Sequence, residues 1–201
     1  MAPLNRGLEL LESAVRFALA DAARVTPQLL SRSTPCPGWD LETLLEHLCD
    51  SIAVLHEAID TAGVGAGAPA GHPRPGHDPV SRLRGQAASL LAVCAAAGPT
   101  ERLVDIGDRQ LTASMVAVTG AIEITVHGWD ISVACVARRP VPPGLAAVLL
   151  PVAAVLITPH ARPGLFAGPV RLPAPACAGD QLVAFTGRQP RPWAAPVPGS
   201  A

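Results

Sequence analysis

The chain reads as an all-α fold, a bundle of long helices closed by an extended C-terminal wrap, and three observations predict it. Long segments carry apolar residues at three- and four-residue spacing. Stretches rich in Pro and Gly separate those segments. No run alternates apolar and polar residues for long enough to build a large sheet, and no internal repeat is visible.

The first segment, Leu4 to Ala23, places Leu8, Leu10, Leu11, Val15 and Leu19 at helical spacing, with Glu9, Glu12 and Arg16 on the other side. The following STPCPGWD breaks any continuous helix, and Asp40 is then placed to cap a second one with Thr43 at its third position. Leu41, Leu44, Leu45, Leu48, Ile52, Leu55 and Ile59 form a stripe that carries this helix to about Thr61, and His47 sits beside the stripe.

Residues 63–79 are too rich in Gly and Pro for a regular element and predict a flexible surface loop, open to a role as a lid or to none. Leu83, Ala87, Leu90, Leu91 and Cys94 give a third helix over Val80 to Ala97, ended by Gly98 and Pro99. Thr100 to Gln110 is expected as a short extended link. Leu111 to Ala137 is assigned to a fourth long helix despite Gly120, Gly128 and its many β-branched residues. Pro140, Pro142 and Pro143 end it, and Gly144 to Ile157 gives an additional apolar helix that Pro151 would kink or divide. The tail runs on as a Pro-rich extended wrap with one helical turn, Asp180 to Thr186, stopped by Gly187 and Pro190.

With 201 residues, 49% of them hydrophobic and 15% charged, the chain suits a single domain over residues 1–201 with a substantial core. A net charge of −1 and a pI near 6.6 give no basic footprint for nucleic acid. The strongest apolar stretch, Leu145 to Thr158, contains Pro151 and is too short to span a bilayer, so no membrane association is expected. Glu9, Glu12 and Arg16 interrupt the opening apolar run, so no secretory signal is read. Five widely spaced cysteines without a CxxC argue against a disulfide framework and a thiolate zinc site, and fit a reducing cytoplasm.

The chemistry concentrates in GAIEITVHGWDIS. Glu123 and His127 stand four residues apart, so on a helix a carboxylate and an imidazole project from one face. His47 on the second helix is the candidate third ligand if helices two and four pack together. Zinc, nickel, iron and manganese all accept imidazole and carboxylate, and three protein ligands leave positions open for water or substrate. The competing reading is an ordinary hydrogen-bonded helical pair, with His47 a satisfied histidine at the core's edge. A carboxylate among Ile122, Ile124 and Val126 needs a charged or metal partner if it is buried.

Around this set, Asp130, three residues after His127, is a candidate to hold the imidazole from behind, against the alternative of a helix-surface carboxylate. Trp39 and Trp129 are candidates for pocket walls or for packing anchors. His56, about half a turn from His47, should not share the site, and His72, His77 and His160 read as solvated. Cys36 and Cys49 lack a recognisable activating neighbour for nucleophilic work. Arg109, Arg138 and Arg162 are offered for anion binding, with surface positions as the alternative.

Three stretches in order, STPCPGWDLETLLEHL, AIEITVHGWDIS and DQLVAFTGRQP, resemble actinobacterial DinB-like metal-binding proteins of the mycothiol-dependent maleylpyruvate isomerase branch. The resemblance runs from about residue 5 to Trp193. It implies a DinB-like four-helix bundle with an additional helix and the C-terminal extended wrap. It also implies a divalent metal, usually zinc, held by the histidine of the first motif and the glutamate and histidine of the second, which match His47, Glu123 and His127. The resemblance further implies mycothiol as a cosubstrate, small-molecule substrates and, as one arrangement, a homodimer.

A metal-dependent enzyme follows, activating mycothiol or another small thiol for S-transfer or isomerisation of a small electrophile, as a transferase or isomerase. Two other readings stay open. One is a thiol-independent Lewis-acid enzyme performing cyclisation, rearrangement or hydrolysis in natural-product metabolism; the other is a non-catalytic metal or small-ligand binding protein. The chain has no room for the separate C-terminal domain of the maleylpyruvate isomerase itself, so that substrate is not carried over.

Overall fold

The computed structural model describes residues 3–64, 78–97 and 101–190. Helices α1 (Pro3–Ala22), α2 (Leu41–Thr61), α3 (Pro79–Ala96) and α4 (Ala113–Ala134) form the bundle, and α5 (Pro143–Leu156) and α6 (Ala178–Phe185) pack on each other and against it. The expected helix ends are met within two or three residues. Most of the predicted loop at 63–79 lies outside the described residues.

Helix α2 begins where the sequence caps it, with the Asp40 carboxylate accepting from Thr43 N–H at 2.9 Å, and ends at Ala62 in the left-handed region. All seven residues of its predicted stripe are buried. Burying one such Leu or Ile contributes about 1.5–3 kcal/mol, so this face alone ties α2 firmly to the bundle.

Helix α4 lacks a polar stripe because it is the centre of the molecule. Almost every residue from Val116 to Ala134 is buried, and α1 packs along its length. The two glycines that weakened the sequence signal are contact points. A Cβ on Gly128 would stand 3.0 Å from the backbone Cα of Ala18, and one on Gly120 would stand 2.5 Å from Leu55 Cδ1. Each lets a neighbouring helix come closer to α4 than a side chain would allow.

Two features go beyond the expectation. A short strand β1 (Gly63–Val64) runs parallel to β2 (Leu103–Ile106), and β2 pairs antiparallel with β3 (Arg109–Thr112), so the expected extended link contains a hairpin. Gly107, at φ 60°, supplies the positive φ its turn needs. Four-residue strands are too short to leave a readable alternation. Pro151 does not divide α5, because it faces solvent, where water can satisfy the carbonyl that loses its partner.

The wrap is held by specific bonds. Val170 N–H donates to Ala184 O at 2.9 Å, and Arg162 donates to Ala167 O at 2.9 Å and Phe185 O at 3.0 Å while lying over the Phe185 ring. No described helix is long and apolar enough to cross a membrane.

Candidate metal centre

The site starts with a turn. In Cys36-Pro37-Gly38-Trp39, Trp39 N–H donates to Cys36 O at 3.2 Å and Gly38 sits at φ 80°, the pattern of a type II turn with Pro and Gly at its centre. Thr34 closes the loop by donating its N–H and hydroxyl to Trp39 O at 3.1 and 3.0 Å. This rigid loop lays the Trp39 ring against His47, edge-on at 4.7 Å between centroids, and near-parallel to His127 at 6.2 Å.

Under that ring, α2 and α4 bring His47, Glu123 and His127 together. His47 Nε2 lies 2.8 Å, and His127 Nε2 3.2 Å, from the same Glu123 Oε1. Ser51 Oγ donates to that oxygen at 3.4 Å. One ligand atom from each of the three residues lies within 4.8 Å of the others. Donors bound tetrahedrally to one ion at about 2.0–2.2 Å stand about 3.3–3.6 Å apart, so these three lie close enough together to share a divalent ion. His127 is buried while His47 and Glu123 are about one-third exposed, so the set is open on one side.

Asp130 stands behind the set, fully buried, with Oδ2 3.0 Å from His127 Nδ1. That contact holds the Nδ1–H tautomer and leaves the Nε2 lone pair for an ion. Burial alone would push the Glu123 carboxyl up, but hydrogen bonds from His127 and His47, and their charge, hold it well below the usual carboxylate range. Burial would lower His127, yet Asp130 and Glu123 outweigh it and push the imidazole up to about 9. An imidazolium between two carboxylates is the arrangement that a dication replaces, with Nε2 giving up its proton and Nδ1 keeping its own.

The set opens into a cavity of about 670 Å³. The Pro35–Trp39 loop walls one side; Gly164–Ala167 and Thr186–Arg188, both from the wrap, wall the other. Residues 11–132 match the family described as the mycothiol maleylpyruvate isomerase N-terminal domain. The chain belongs to that family. No curated protein and no solved structure matches it. The family is a mycothiol-related, DinB-like one of metal-binding proteins, and the fold has the mostly helical bundle expected of it. The matched residues contain Trp39, His47, Glu123, His127 and Asp130, and stop short of the wrap that forms the opposite wall.

The remaining candidates are dispersed. Trp129, two residues and about 200° around α4 from His127, packs in the hydrophobic core and does not line the cavity. His56 faces the groove between α2 and α3 beside Arg82, His160 is exposed, and His72 and His77 lie outside the described residues. Arg109 is at the exposed hairpin turn, Arg138 follows α4 at φ 47°, and Arg162 is a strut of the wrap. Cys36 lines the cavity with its thiol pushed up by burial, and Cys49 is buried and pushed up to about 11.

Sequence reasoning missed Arg188. It is 9% exposed, lines the cavity and grips Asp130. The sequence places it three residues after α6 in DQLVAFTGRQP, and no local pattern there points to Asp130.

Proposed function

We propose that the protein is a metal-dependent enzyme that uses a divalent ion, zinc foremost, on His47, Glu123 and His127 to activate mycothiol or another small thiol for S-transfer to, or isomerisation of, a small electrophile. The observation that carries this reading is the convergence of three donors from two helices on the floor of an open cavity of about 670 Å³, a size suited to a small-molecule ligand. An ion held there supplies a Lewis acid that lowers the pKa of a thiol and makes it nucleophilic near neutral pH.

The chain's own residues do the rest. Asp130 keeps the Nδ1 proton on His127, so this ring serves as a ligand and not as a proton shuttle. With a dication in place the carboxylates of Glu123 and Asp130 are neutralised, and Arg188 leaves one net positive charge to receive an anion such as a thiolate. Trp39, Val126, Leu165 and Phe166 line the cavity with apolar surface suited to an organic electrophile.

Activation of water is less well supported. Among the described residues lining the cavity, the titratable groups beyond the three candidate ligands and Arg188 reduce to Cys36, whose raised thiol is a poor general base. All five cysteines are free, in keeping with a reducing compartment, which we take to be the cytoplasm.

Elemental analysis of the purified chain should return one divalent ion, lost in His47→Ala and His127→Ala. Full stoichiometry in both variants would reject the site. Cobalt-substituted protein titrated with mycothiol should then develop a sulfur-to-cobalt charge-transfer band. Metal binding with neither that band nor a calorimetric heat would remove the thiol and keep the metal.

A further inference from the structure

Arg188 comes from the wrap, beyond the family-matched residues, and meets the centre from behind. Its Nε donates to both carboxylate oxygens of Asp130, at 2.9 and 3.1 Å, and its Nη2 donates to Oδ2 at 2.7 Å. Nη1 donates to Thr186 O at 3.3 Å. Oδ2 is also the oxygen that meets His127 Nδ1. The Asp130 side chain is fully buried and that of Arg188 nearly so.

A planar guanidinium that grips both oxygens fixes the plane of a carboxylate as well as its position. Here that plane decides where Oδ2 points, and Oδ2 decides how the His127 ring is turned. Without the fork, Asp130 would be a buried anion with the single imidazole contact, free to rotate or to draw in water. The fork in turn depends on the wrap being docked. Gly187, at φ 90°, lies so close to Ala167 that a Cβ would stand 2.7 Å from its Cβ, which aims Arg188 inward.

We propose that Arg188 is a positioning residue of the metal centre: through Asp130 it holds His127 Nε2 in the orientation that meets the ion, so that metal affinity depends on this one contact from the C-terminal wrap. The inference rests on the metal reading above and fails separately from it. Arg162 is the internal control, because it anchors the same wrap through Ala167 and Phe185 without touching Asp130.

The test is zinc affinity by competition with a chromophoric chelator, with thermal melts and the cobalt d–d spectrum, for the whole chain and for Arg188→Gln, Arg188→Lys and Arg162→Gln. Arg188→Gln should weaken zinc by about 10–100-fold, the usual effect of losing a partner behind a ligand, and alter the cobalt bands. Arg188→Lys, a point charge that cannot fork, should recover only part of the affinity. Arg162→Gln should lower the melting temperature and leave affinity within about twofold. Wild-type affinity and cobalt spectrum in Arg188→Gln, with a lowered melting temperature, would make Arg188 a structural anchor and overturn the inference. If Arg188→Gln does not fold, wild-type affinity in Arg188→Lys overturns it as well. No zinc on the unmodified chain would overturn the metal reading itself, and this inference with it.

Discussion

Two buried aspartates, each paired with an arginine from further along the chain, sit on α1 and α4 and do different things. Asp21, at the end of α1, takes Arg139 Nε at 3.0 Å, and that guanidinium also lies over the Phe17 ring at 4.7 Å. Asp130, on α4, takes Arg188 and His127 together. The Arg139 side chain is 41% exposed and that of Arg188 9%. A buried carboxylate–arginine pair is close to neutral for stability, because desolvation offsets attraction. The difference therefore lies in the third partner: Asp21, which also has Arg24 Nε at 3.9 Å, staples the exit of α4 to α1, whereas Asp130–Arg188 carries an imidazole.

Removing each aspartate gives the largest contrast. Asp130→Ala strands a buried guanidinium and leaves His127 without its Nδ1 acceptor, and should cost about 3–5 kcal/mol. Asp21→Ala lets the half-exposed Arg139 turn to water and should cost about 1–2 kcal/mol. Urea unfolding of chelator-treated protein measures both. Zinc affinity should fall in Asp130→Ala and hold in Asp21→Ala; equal behaviour in the two variants would erase the distinction.

The glycines of α4 sharpen it at the level of helix packing. Gly128→Ala drives a methyl into the backbone of Ala18, which cannot rotate away. Overpacking of about 1–3 kcal/mol, less about 1 kcal/mol of helix propensity, should appear as lost stability. Gly120→Ala instead meets the Leu55 side-chain tip on α2. That tip can move, so the stability loss should be smaller. Any push there separates α2 from α4 one turn from Glu123, so zinc affinity should drop more than stability does. Chelator competition and thermal melts on the two variants check the ordering.

The bundle was legible because α1 to α3 each have one buried face, and such a face writes itself as a stripe; the Asp40 cap and the Pro-Gly turn before it are equally local. Helix α4 was harder, since a helix buried all round shows no stripe and its close approaches are made by glycines, which read as weakness. The pair Glu123 and His127 could be found from spacing alone, but their meeting with His47 depends on a crossing of α2 and α4 over a sequence separation of 76 residues. Arg188 lay further out of reach. Its meaning comes from a bond to Asp130 across 58 residues of chain, which no local pattern encodes.

A graded test needs only pH. His127 is pushed up from 6.5 to about 9 in the folded chain, so its ion pairs stabilise chelator-treated protein fully below about 6.5 and are lost as pH rises through about 9. Glu123 is held below its ordinary 4.5, so its contribution is present above that value and is lost as pH falls through its lower folded value. Between those limits the chelated protein should be at its most stable and should weaken toward about pH 9. Zinc must displace the Nε2 proton of His127, so its binding strengthens with rising pH over the same window. The difference in melting temperature between zinc-loaded and chelated protein should therefore widen from about pH 6.5 to about 9. Asp130→Asn should flatten that slope, because one of the two carboxylates that raise His127 is gone, while Asp21→Asn, with no imidazole among its hydrogen-bond and ion-pair contacts, should leave it as it was. A slope unchanged in Asp130→Asn would mean that the two pairs differ only in exposure.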